Sequence, residues 1–321
     1  MSRYAFPVPL GWFYIADSDS IAPGELREVR RFERDLVLWR SESGKIYLND
    51  AYCPHLGAHV GRGGQVIGET IQCPFHKWTF KGDGKVSTIP YAPKINERAC
   101  LPAYPILEHY GNIMAWYHPD GAPPSFDLPA VPELDGTDFV GPLSEHHHIH
   151  TCLQEMAENT VDGAHFVTIH EHPGEAHYEG VSFDGPRMWM DSKQLFPSSK
   201  GPVEGTLTTE SFGYGFGIVR YKTLADIVMV TVNAPVERDV TEQIFKVYYR
   251  NPQKDPKLDR IGQAFYKEVN RQVRQDIPIW ENKIYRERPF LCEGDGPILR
   301  FRHWAKQFYV EPSAVKEPQH A

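Results

Sequence analysis

Cys53-Pro54-His55-Leu56-Gly57-Ala58-His59, answered by Cys73-Pro74-Phe75-His76-Lys77-Trp78, decides how the first third of the chain folds. In the first stretch a Cys and a His stand two residues apart, in the second three apart. Seventeen residues, rich in glycine, separate the two halves. Two thiolates and two imidazoles make a four-ligand metal site. A structural zinc takes such a set with tetrahedral geometry. A [2Fe–2S] cluster with one iron on two Cys and the other on two His takes it equally. Zinc fingers usually group Cys with Cys and His with His. Here each short hairpin supplies one of each, so two loops can clamp a two-iron rhomb from both sides.

Around this core the chain has 321 residues and 41% hydrophobic content, enough for about two domains. A net charge of -8 and a pI near 6.0 argue against nucleic acid or an anionic membrane surface as partner. Beyond Cys53 and Cys73, the cysteines Cys100, Cys152 and Cys292 are widely spaced and read as ordinary buried thiols. Nothing indicates a disulfide framework, so a reducing cytoplasm is the default. The first residues, Met1 to Pro7, lack the apolar stretch of a signal peptide. No apolar run approaches the roughly 20 residues of a membrane span, and Ile227–Val232 reads as a buried strand.

From Gly11 to Trp116 short strands alternate with turns, predicting an all-β domain over residues 1–118. Its strand candidates are Trp12–Ala16, Leu36–Trp39, Lys45–Leu48, Thr70–Gln72 and Ile113–Tyr117, with a hairpin turn at Gly82-Asp83-Gly84. Residues 119–135 hold Pro119, Pro123, Pro124, Pro129 and Pro132, which exclude regular helix and central strand and mark a linker. Residues 136–321 form the second domain. His146-His147-His148-Ile149-His150 opens it, and strand alternation keeps those imidazoles from converging on one ion. A helix is expected over Leu153–Val167. Strands are expected over Val203–Ser211, Gly215–Thr223, Ile227–Asn233 and Thr241–Arg250. A long helix is expected from Lys257 to about Arg288, because Leu258, Ile261, Phe265, Val269 and Val273 recur at helical spacing. The tail after Tyr309 is polar and reads as frayed.

A second metal site is written into this half. Asp162-x-x-His165 is the spacing of one helix face, and His170 follows five residues later. In an unbroken helix His170 would point away from His165, so the backbone must bulge or end near Thr168. Two His and one carboxylate form the facial triad of non-haem Fe(II) enzymes, with open positions for oxygen and substrate. The carboxylate has to come from elsewhere. Asp276 is the first choice, because Pro278 disturbs the turn in which it lies, beside Ile277 and Val273. Glu281 and Asp259 are the competitors.

The first stretch resembles the Rieske pattern C-x-H…C-x-x-H, including Pro54, Pro74, Trp78, Phe80 and Gly82. With Asn159, Asp162, His165 and His170 downstream, most of the chain resembles the large subunit of a Rieske non-haem iron oxygenase. The segment Asp276-x-x-Ile279-Trp280-Glu281-Asn282-Lys283 resembles the 3-ketosteroid 9α-hydroxylase and sterol-desaturase branch. Respiratory Rieske proteins carry two further cysteines where this chain has Ala58 and Phe75. A Rieske ferredoxin would end near residue 118.

The resemblance implies an α+β protein: an N-terminal all-β Rieske domain, then a curved antiparallel sheet with a long helix, helix-grip-like, enclosing the substrate. It implies a [2Fe–2S] cluster on Cys53, His55, Cys73 and His76, and a mononuclear Fe(II) on His165, His170 and Asp276. It also implies a head-to-tail homotrimer in which Asp162 bridges the cluster of one subunit to the iron of its neighbour. Asn159 belongs to the same constellation. The expected activity is that of a terminal oxygenase component, using O2 to hydroxylate or desaturate a hydrophobic substrate, a steroid or sterol first and a smaller aromatic compound second. A non-catalytic Rieske electron carrier is the other alternative. No nicotinamide or flavin motif is evident, so NAD(P)H would act through a separate ferredoxin or flavin reductase. Phe183, Trp189, Phe196, Phe212, Tyr214, Phe216 and Tyr221 are candidates for the substrate pocket.

Overall fold

Alternating and β-branched runs become strands throughout the first 124 residues of the computed structural model, which describes residues 3–4, 6–174, 177–196 and 201–310. Two compact units result, one built on residues 12–124 and the other on residues 3–11 with 125–310. The expected frayed tail lies outside the described residues from 311 onward.

The first unit has ten short strands: β1 Gly11–Asp17, β2 Leu26–Arg31, β3 Arg34–Arg40, β4 Ile46–Asp50, β5 Gln65–Ile67, β6 Thr70–Gln72, β7 Thr79–Lys81, β8 Val86–Thr88, β9 Ile106–His109 and β10 Asn112–Tyr117. They form three sheets, ordered β1-β10-β9, β2-β3-β4 and β5-β6-β7-β8. Trp39, Val60, Ile71, Phe80 and Leu101 are sealed in one cluster, and Cys53 and Cys73 are buried in it. The turn between β7 and β8 is closed where expected, with Gly84 N–H donating to Lys81 O at 2.9 Å. Of the cysteines expected to be buried, only Cys152 is; Cys100 and Cys292 are exposed, because both sit in connecting segments.

The second unit is a seven-stranded sheet in the order β11-β17-β16-β15-β14-β13-β12, with every neighbouring pair antiparallel. Its strands are β11 Phe139–Ile149, β12 His177–Asp184, β13 Arg187–Phe196, β14 Val203–Phe212, β15 Phe216–Lys222, β16 Asp226–Glu237 and β17 Val240–Arg250. On β11 the histidines alternate: His147 is buried, His146 and His148 are exposed. The helix expected over Leu153–Val167 is broken in three, as α1 Leu153–Glu158, a 3₁₀ turn Asn159–Val161 and α2 Ala164–Thr168. The break follows from Asp162, whose backbone is extended at φ -88° and ψ 102°.

The long helix α3, Pro256–Asn282, ends six residues earlier than the pattern indicated and runs through Pro278. Asp255 caps it by accepting the Lys257 N–H at 2.8 Å. Its apolar stripe packs Val269, Val273 and Trp280 against Phe245, Val247 and Met229 of the sheet. A short helix, α4 Ile298–Ala305, completes the unit. At Gly262 α3 lies close against the sheet: a Cβ there would lie 2.3 Å from Cδ1 of the buried Tyr249. Gly262→Val should therefore destabilise the fold by about 1–3 kcal/mol through overpacking. The urea midpoint measures this, and an unchanged midpoint would show that the helix can lift without cost.

Candidate metal centres

The cluster loops are two copies of one turn. In the first, Cys53 N–H donates to Ala58 O at 2.9 Å; in the second, Cys73 N–H donates to Trp78 O at 2.8 Å. Each turn needs a left-handed residue four positions after its Cys. Gly57 supplies it at φ +73°, whereas Lys77 adopts φ +61° against the preference of an L-residue. The loops bring the His55 and His76 rings to 4.6 Å between centroids, and His55 stacks on Trp78 at 4.6 Å. Tyr91, which the sequence reading did not single out, accepts the Trp78 indole N–H at 2.8 Å and fixes that ring.

Both thiols are buried. Burial pushes the Cys53 thiol up to about 11, with Cys73 beside it adding in the same direction. A metal centre reverses this preference, because a coordinating thiol loses its proton outright. Among the described residues, His165, His170 and Asp276 are the one Cys/His/carboxylate group whose ligand atoms all lie within 4.8 Å of one another.

The second centre is set by the broken helix. Ile169 N–H donates to His165 O at 2.8 Å, and His170 N–H reaches the same oxygen at 3.3 Å. That wide last turn, after α2 stops at Thr168, brings His170 round beside His165, their rings 5.0 Å apart. Asp276 Oδ2 lies 3.3 Å from His170 Nε2, and both side chains are buried. Asp276 stands on the α3 stripe, three residues after Val273 and four before Trp280. An acid at a core position of the periodic pattern was a signal available in the sequence. Asp259 and Glu281 are occupied elsewhere: Asp259 accepts from Tyr249 Oη at 3.1 Å and Asn251 at 2.7 Å, and Glu281 accepts the His150 N–H at 3.0 Å.

Each imidazole is oriented through its far nitrogen. His165 Nδ1 lies 2.5 Å from the Asp162 carbonyl oxygen, and His170 Nδ1 lies 3.1 Å from Gln275 Oε1. Both carbonyls fix the Nδ1–H tautomer and leave Nε2 free to ligate. The Asp162 carboxylate accepts the N–H groups of Ala164 at 3.1 Å and His165 at 3.4 Å, at the start of α2. Asn159 Nδ2 lies 3.2 Å from His165 Nε2, on the ligand side of the ring. Burial holds the His165 pKa below its ordinary value, with the Asp276 charge opposing, so the ring is neutral as a ligand must be. Gln275 was not read from the sequence; it could be found only by knowing which helix face meets His170.

The trio lies on the wall of a cavity of mixed lining: Met156, Met190, Leu207, Val219, Met229 and Phe245 are apolar, while Thr209, Glu210, Asn233 and Gln243 are polar. Of the aromatic candidates, Tyr214, Phe216 and Tyr221 line it. Phe183, Trp189, Phe196 and Phe212 do not. Phe183 meets Trp304, Trp189 lies under the Arg187 guanidinium and Phe196 meets His172.

Residues 115–309 match the 3-ketosteroid 9alpha-hydroxylase C-terminal domain, and residues 11–105 match the Rieske [2Fe-2S] domain. The chain belongs to the 3-ketosteroid 9α-hydroxylase family of Rieske oxygenases. It is 30% identical to a cholesterol 7-desaturase of Xenopus laevis, over 95% of this chain and 72% of that protein. It is also 30% identical to a probable 3-ketosteroid-9-alpha-monooxygenase oxygenase component of Rhodococcus rhodochrous, over 95% of this chain and 81% of that one. Dicamba monooxygenase bound to dicamba shares the fold, with a TM-score of 0.76 at 15% identity, over 95% of this chain and 98% of that structure. The protein is thus an oxidoreductase of α+β architecture, with a Rieske domain for a [2Fe–2S] cluster.

Gln275→Leu frees the His170 ring without removing a ligand. It should weaken iron binding at the His165–His170–Asp276 site about 10- to 100-fold while leaving the cluster's visible spectrum intact. Iron titration into metal-stripped protein reads this; unchanged affinity would remove Gln275 from the site.

Proposed function

We propose that this chain is the terminal oxygenase component of a multi-component system that hydroxylates or desaturates a steroid or sterol. The observation that carries this reading is the His165–His170–Asp276 trio on the wall of a cavity that combines apolar and polar lining. The names of its relatives, steroid monooxygenase components and cholesterol desaturases, supply the substrate class. The domain assignment that goes with it is a cluster-bearing domain at 1–118, a linker at 119–135 and an iron-bearing domain at 136–321.

Iron(II) held by His165, His170 and Asp276 would supply the site of dioxygen reduction, and a [2Fe–2S] cluster on Cys53, His55, Cys73 and His76 would supply electrons singly. Hydroxylation consumes O2, two electrons and two protons, and yields the alcohol and one water. Desaturation consumes the same and yields the alkene and two waters. The chain's own groups set the conditions. Asp162 O and Gln275 Oε1 hold the two Nδ1–H groups, so neither ring can turn from its task. Met156, Leu207, Val219 and Phe245 give the cavity an apolar stretch of wall on which a hydrocarbon skeleton can pack. Asp162, joined through its backbone to His165, is assigned as the electron-transfer bridge, and Asn159 as the amide that adjusts beside His165.

The electrons would come from NAD(P)H through a separate ferredoxin or flavin reductase. We assign a homotrimer as the working form and the cytoplasm as its location. Five free cysteines support a reducing compartment, and among the described residues no helix is long and apolar enough to cross a membrane.

Turnover with a general reductase, against steroids, sterols and aromatic compounds, tests the activity by mass: a gain of one oxygen or a loss of two hydrogens from a steroid supports it. Conversion of aromatic compounds alone would overturn the substrate class. Asp162→Asn should keep the cluster's colour and lower turnover about 10- to 100-fold. Full activity in that variant would take Asp162 out of the electron path.

A further inference from the structure

Two amide oxygens in the sheet wall of the cavity are buried without a hydrogen-bond partner, Asn233 Oδ1 and Gln243 Oε1. They belong to β16 and β17 and are direct cross-strand neighbours. Both residues line the cavity that carries His165, His170 and Asp276. A buried carbonyl oxygen with no donor is destabilising, and native structures retain few of them. The Asn233 amide cannot turn to relieve this. Its Nδ2 donates to the Tyr214 carbonyl at 2.7 Å, which fixes Oδ1 as the unpaired atom. No hydrogen bond among the described residues fixes the Gln243 amide. Its neighbour on β11, His147, is already engaged with Asn270 Oδ1 at 3.2 Å. A group that fills the cavity can supply the missing donor.

We propose that Asn233 and Gln243 recognise a hydroxyl group on the substrate, so that the site takes a hydroxylated steroid or sterol in preference to the corresponding ketone. This rests on the steroid reading above and narrows it. A hydroxyl satisfies both amides at once: its O–H donates to Asn233 Oδ1, and its oxygen accepts from Gln243 Nε2 once that amide turns. A ketone only accepts. It can take the Gln243 N–H but leaves Asn233 Oδ1 as it was, buried and unpaired. Sites that hydrogen-bond a substrate hydroxyl reject analogues that cannot complete the bond, because the protein group is stranded.

The test is binding to the iron-loaded holoenzyme under anaerobic conditions, by calorimetry. The probes are a 3β-hydroxysteroid and its 3-oxo analogue of the same skeleton, with 1-tetralol and 1-tetralone as a small aromatic pair. The wild type should bind the hydroxysteroid at least about tenfold more tightly than the ketone. Asn233→Leu should abolish that preference by weakening the hydroxysteroid alone. Gln243→Leu, whose amide holds no backbone group, carries the test if Asn233→Leu does not fold: it should weaken both steroids. Equal steroid affinities in the wild type, or a Gln243→Leu variant with both affinities unchanged, would overturn the inference and leave the steroid reading standing. Failure of both steroids to bind, with tetralol preferred over tetralone, would sink the steroid reading and keep the hydroxyl rule. No binding by any of the four would sink both.

Discussion

Asp276 lies on the apolar stripe of α3 between Val273 and Trp280, with Oδ2 3.3 Å from His170 Nε2. A carboxylate taken out of water costs several kcal/mol unless a cation meets it there. The fold is arranged so that a cation can. α3 is capped by Asp255 and seated on Tyr249 through Gly262, which sets the level at which Asp276 meets the loop carrying His170. The stretch from Leu153 to Ile169 gives up a continuous helix so that His165 and His170 face the same point. A protonated His170 would neutralise one charge; a divalent ion shared by three ligands answers the carboxylate and both rings together.

The two metal holders are built on different principles. The cluster loops repeat one tight turn, and their stiffness is local: Cys53 to Ala58, Cys73 to Trp78. Stacked rings of His55 and Trp78, with Tyr91 behind, add a wall that side-chain packing alone maintains. The His165–His170–Asp276 site is non-local. Its third ligand is more than a hundred residues from the first two, and only the packing of α3 on the sheet joins them. A cavity mutation that lets α3 shift is therefore felt at the iron site, while the cluster loops depend on a separate core.

Legibility in the sequence follows the same division. The paired Cys and His turns could be read because spacing and turn residues are local properties. The helix end near Thr168 was legible for a similar reason, since His165 and His170 cannot meet on an unbroken helix. The break at Asp162 was not, because the apolar pattern continues through it and only the extended backbone there reveals it. Strands β12 and β13 were missed: their exposed residues alternate without a strong apolar run, and neighbouring strands stabilise them. The aromatic candidates divided in a way their sequence positions do not reveal. Tyr214, Phe216 and Tyr221 line the cavity, while Trp189 packs under Arg187. Gln275, Asn233 and Gln243 are ordinary amides in the sequence; only their neighbours single them out.

The central claim is that one chain holds two different iron centres, and its most direct test is metal content. Protein purified from iron-replete cells should contain about three irons and about two acid-labile sulfides per chain, and be brown. About two irons, with the His165–His170–Asp276 site unable to take up another on titration, would contradict the oxygenase account and leave an electron carrier. Colourless protein with one zinc would contradict the account of the first centre as well.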